Sequence, residues 1–73
     1  MKERKRAIEL ANDFFMEGVF TSTRLCPGRY PGEWLVVDDD SERAVVVFVN
    51  SLSVEDGFDY QEAIKKYDNV LEK

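Results

Sequence analysis

Apolar positions fall into three patterns along the chain. In residues 3–17, ERKRAIELANDFFME, Ala7, Ile8, Ala11, Phe14 and Phe15 recur at three- and four-residue intervals, the signature of one stripe on an amphipathic helix. Leu10 widens that stripe, and Gly18 is suited to end the helix in the left-handed conformation. In residues 34–49 the apolar runs WLVV and AVVVFV flank the polar stretch DDDSER, which predicts two strands and a turn. In residues 60–72 helical spacing returns, with Tyr60, Ala63, Ile64, Tyr67 and Leu71 on one face. Asp59 and Glu62 stand at the spacing of a capping box at its start.

The central hairpin has a consequence for packing. With residues 39–42 as its loop, Asp38 pairs with Arg43, Val36 with Val45, and Trp34 with Val47. Strand side chains alternate, so Trp34, Val36, Val45 and Val47 share one face, and Leu35, Val37, Ala44, Val46 and Phe48 share the other. Both faces are apolar. If the two helices cover one face, the other is left for a second copy or a partner; if they split across the sheet, the core closes within one chain.

The connecting segments carry weaker signals. VFTSTRL, residues 19–25, reads as a short strand with a loop as the alternative. CPGRYPG reads as successive turns, because proline presets φ and glycine permits positive φ. It lacks the lysine and spacing of a phosphate-binding loop. In SVEDG, Ser53 and Asp56 are placed to cap a short turn. The expectation is a single α+β domain over residues 1–73: an N-terminal helix, a small antiparallel sheet of two or three strands and a C-terminal helix, in the order α-β-β-β-α or α-β-β-α. The longer order resembles that of double-stranded-RNA-binding domains, whose last helix begins with lysines that meet phosphate. Here the equivalent stretch begins with Glu55, Asp56, Asp59 and Glu62, which repel a duplex backbone, so the resemblance is one of element order only.

Charge sharpens this. Residues 1–32 hold six bases and four acids, residues 33–73 four bases and eleven acids, giving −5 in all. An acidic chain is a poor nucleic-acid binder, since affinity there comes from Lys and Arg facing phosphate. The bipolar layout instead suits a basic partner at one end. The opening MKERKRAIEL is amphipathic and has no continuous apolar core, and no run approaches a membrane span, so the expected location is the cytoplasm. With one cysteine there is no disulfide, and burial of about 60% of the unfolded surface makes a chain of this size modestly stable.

Candidate chemistry is sparse. There is no histidine to act as a base near neutral pH, Cys26 and the serines lack an activating motif, and the expectation is a non-enzyme without cofactor or metal. An EF-hand register starting at Asp38 places Arg43 where glycine is needed and Val49 where glutamate is needed. Asp38, Asp39, Asp40 and Glu42 read first as a solvated turn and second as a contact surface. Arg29, Tyr30 and Trp34 join them as partner-binding candidates, because Trp, Tyr and Arg dominate interface hot spots. The functional expectation is a small acidic protein that binds another protein, as adaptor or inhibitor, or binds a second copy of itself. Two alternatives remain: a structural subunit, and a mimic of DNA built from Glu33, Asp38, Asp39, Asp40, Glu42, Glu55, Asp56, Asp59 and Glu62.

Overall fold

Among the described residues a helix, four strands and a second helix follow one another: α1 (Lys2–Phe15), β1 (Thr23–Pro27), β2 (Glu33–Asp38), β3 (Arg43–Phe48), β4 (Ser53–Phe58) and α2 (Tyr60–Lys66). The computed structural model describes residues 2–15 and 20–71, and the expected helix-ending Gly18 lies outside them. All strand pairs are antiparallel, in the order β1-β2-β3-β4. The α+β class and the helix–sheet–helix order are as the sequence predicts. The fourth strand also removes the α-β-β-β-α order on which the resemblance to double-stranded-RNA-binding domains rested.

The central hairpin has the expected register, with Trp34 opposite Val47, Val36 opposite Val45 and Asp38 opposite Arg43. Its two apolar faces are covered by different helices. On one side Ala7, Leu10 and Ala11 of α1 pack on Leu25, Trp34, Val36, Val45 and Val47, joined by Phe20. On the other, Ala63 of α2 and the following Leu71 pack with Cys26, Leu35, Val37 and Ala44. Val36, Val37, Val45 and Val47 are fully enclosed, and each contributes about 1.5–3 kcal/mol relative to exposure. The arrangement in which one hairpin face stays open for a partner or second copy is therefore not adopted.

Three segments depart from the local reading. The strand expected over residues 19–25 lies instead at Thr23–Pro27, taking Cys26 and Pro27 from the predicted turns. Proline is tolerated there because β1 is an edge strand. SVEDG is not a capped turn but most of β4, the opposite edge. There Gly57 takes φ 96° beside a register shift between Ala44 and Val46, a backbone that disfavours a side chain. The second helix stops at Lys66 rather than residue 72, because Tyr67 leaves helical geometry at φ −109°, ψ 18°. Turns carry the chain on, with the Leu71 N–H bonded to the Tyr67 carbonyl at 2.9 Å, so Leu71 still reaches the core. Asp59 caps α2 by accepting from the Gln61 N–H at 2.9 Å.

Side-chain hydrogen bonds tie the layers together. Asn12 grips the Phe20 backbone, accepting from its N–H at 2.7 Å and donating to its carbonyl at 3.3 Å. Trp34 donates its indole N–H to Glu3 of α1 at 2.7 Å. Asp38 is wholly buried, and its carboxylate accepts from the Ser22 N–H at 2.7 Å and from the Ser41 N–H and hydroxyl, both at 2.8 Å. Burial pushes this carboxyl up, but the hydrogen bonds from Ser41 and Ser22 outweigh it and hold its pKa below the ordinary value.

Removing that acceptor strands two backbone donors. Asp38→Ala is expected to cost about 2–4 kcal/mol, read as a lower urea midpoint with an unchanged slope. A depressed carboxyl contributes stability that is complete above the unfolded aspartate pKa of about 3.9 and is lost as pH falls through the folded value. The wild-type chain should lose stability below about pH 4, and Asp38→Asn should show a shallower acid loss in pH-dependent urea melts.

Candidate functional site

The acidic run that begins at the end of β2 is built into the turn. With Asp38 enclosed, Asp39 receives a two-pronged bond from Arg24, Nε to Oδ2 at 2.8 Å and Nη2 to Oδ1 at 2.9 Å, and the Tyr60 hydroxyl donates to the same Oδ1. The Arg24 hydrogen bonds, followed by that of Tyr60, lower the Asp39 pKa, and the reciprocal bond to Asp39 raises that of Tyr60. Asp40 accepts from the Ser22 hydroxyl at 3.1 Å. Glu42 is exposed and takes φ 55°, completing the turn in the left-handed region. Each of the three aspartates thus has a partner inside the chain, and Asp38 offers no surface at all.

Arg29, Tyr30 and Trp34 do not form one cluster. Trp34 is 9% exposed and faces α1, whereas Arg29 and the 67% exposed Tyr30 lie in the loop between β1 and β2. Of the three, only Arg29 reaches a hollow on the α2 side of the sheet.

That hollow is a cleft of about 550 Å³, within the range of about 300–1,000 Å³ typical of ligand sites. One wall is the helix face carrying Asp59, Glu62, Ala63, Lys66 and Tyr67, positions that recur at helical spacing. Its floor is Cys26, Leu35 and Val46 from three neighbouring strands, with Phe58 of β4 beside them. Pro27, Gly28 and Arg29 form the facing wall. The cleft exists because α2 is short and covers only part of its sheet face. Burial pushes the Cys26 thiol up, away from the thiolate that nucleophilic chemistry needs.

Glu33 is the polar centre of this cleft. It opens β2 on the same face as Leu35 and Val37, so strand alternation aims it at the α2 side. The loop folds over it: the Gly28 N–H bonds the Glu33 carbonyl at 2.7 Å, and the Glu33 N–H bonds the Tyr30 carbonyl at 3.0 Å. A Cβ on Gly28 would stand 2.5 Å from Glu33 Cγ, so glycine is what lets the side chain lie there. Glu33 Oε1 is buried and accepts no hydrogen bond among the described residues. An orphan of this kind costs about 1–3 kcal/mol, more when charged, and a ligand donor would recover that cost. Residue chemistry alone counted Glu33 as one acid among nine; a glutamate in phase with the apolar positions of its own strand was the available signal.

Among the described residues, no group of three or more His, Cys, Asp or Glu is arranged to hold a metal ion. Millimolar magnesium or calcium should therefore leave the amide resonances of residues 38–42 without a saturable shift, measured by two-dimensional NMR titration.

Among the described residues, no helix is long and apolar enough to cross a membrane. In comparisons with protein-family models, curated proteins and solved structures, nothing matches this chain, and its functional reading rests on the cleft beside α2.

Proposed function

We propose that the chain is a non-enzymatic cytoplasmic protein that binds another protein, as an adaptor or inhibitor, through the cleft beside α2. The observation that carries this is the orphaned Glu33 oxygen above an apolar floor, a combination that a partner side chain with an apolar stem and a donor head can satisfy. The charge around it favours a basic partner: Glu33, Asp59 and Glu62 outnumber Arg29 and Lys66 in the cleft, and the exposed Glu55 and Asp56 lie on the adjacent edge strand.

A second copy of the chain fits less well. Both apolar sheet faces are covered within the monomer, and pairing β4 with its own copy brings two sets of Glu55 and Asp56 together. DNA mimicry is also disfavoured. Of its nine acids, Asp38 is enclosed and Asp39 is neutralised by Arg24, which removes the middle of the row.

The test is capture from native cells followed by affinity measurement on the protein identified. Phe58→Ser with Glu62→Lys, both at exposed cleft positions, should weaken that partner at least about tenfold. Arg6→Glu on the outer side of α1 should leave its affinity unchanged. Equal loss from the α1 change, or none from the cleft pair, overturns the proposal.

A further inference from the structure

Resting on that binding reading, we infer that Glu33 is the receptor for one lysine or arginine side chain of the partner, whose cationic head donates to Oε1. Three observations converge on this chemistry. The oxygen is enclosed, so a donor in the cleft reaches it once the Glu33 side chain turns or the covering loop yields, and it accepts nothing from the described residues. A cation makes the stronger bond to a carboxylate and also matches its charge. Leu35, Val46 and the 45% exposed Phe58 then give the aliphatic stem an apolar bed. The cations already in the cleft do not fill this role: Arg29 and Lys66 leave Oε1 without a bond, and the Lys66 ammonium stands 5.4 Å from the Tyr67 ring centroid.

The geometry also assigns Gly28 a positioning role. Any side chain there collides with Cγ and Cδ of Glu33 and turns the carboxylate out of its place beneath the loop. Glu33 and Gly28 therefore act as a pair, one supplying the acceptor and the other the space that aims it.

The experiment uses single amino-acid probes on the full chain, followed through the amide resonances of Gly28, Glu33 and Ala63. The probes are the Nα-acetyl methylamides of lysine, arginine and norleucine; the last keeps the stem and lacks the cation. Saturable shifts are expected for lysine or arginine in the millimolar range, with norleucine at least about fivefold weaker. The relative strength of the two cationic probes identifies ammonium or guanidinium as the natural head. Glu33→Gln should abolish the difference between cationic and neutral probes without lowering the melting temperature, and Gly28→Ala should weaken both cations. If norleucine binds as well as lysine and arginine, the cleft is an apolar site and the role of Glu33 is overturned, while the partner proposal stands. If no probe shifts these resonances, the inference also fails; the cleft-variant affinities report separately on partner binding.

Discussion

A hairpin that is apolar on both sides cannot sit at the surface of a small protein, and the rest of this structure follows from covering it twice. Of the enclosed valines, Val36, Val45 and Val47 lie on the α1 face and Val37 on the α2 face beside Leu35 and Ala44, so neither face is dispensable. A 73-residue chain has room for one helix on each side, and the two amphipathic segments flank the sheet in sequence. Ala7, Ala11 and Ala63, all buried, let both helix backbones approach closely. Surface ion pairs such as Arg6–Glu9 add little beside this burial.

The acidic run that stands out in the sequence organises the site without forming it. Asp38 fastens the segment before β1 to the hairpin turn, and Asp39 holds both Arg24 of β1 and Tyr60 at the start of α2. Together with the Asp59 cap, the Tyr60 bond fixes where α2 begins and so where the cleft wall stands. The cleft thus depends on Arg24, Asp39 and Tyr60, which line none of it. Its other wall depends on Gly28, where absence of a side chain gives Glu33 its position.

The parts legible in the sequence were those governed by large apolar burial. Hairpin register followed from strand alternation, and the stripe Tyr60, Ala63, Ile64, Tyr67, Leu71 does face the core although the helix ends before its last two members. In α1, Leu10 is buried while Phe14 is 46% exposed, because the helix rotates to seat its alanines. β4 was illegible because an edge strand needs few apolar residues: only Val54 packs against the α1-side core, and Glu55, Asp56 and Gly57 have low strand propensity. Glu33 was overlooked as a site residue because its importance lies in what the loop and α2 place around it, which no local pattern encodes.

The sheet order β1-β2-β3-β4 has a kinetic meaning. Every strand pairs with its neighbour in sequence across a turn of only a few residues, so the sheet can zip from one hairpin to the next without closing a long loop. The costly closure is the return of the first helix, fastened where Trp34 meets Glu3, 31 residues away in the chain. Seating α1 on the sheet thus rests on a contact of far longer range than those that pair the strands. Lifting α1 would open the Trp34, Val36, Val45 and Val47 surface to water and to other chains, and the charged, bulged β4 edge would limit what that form could stick to.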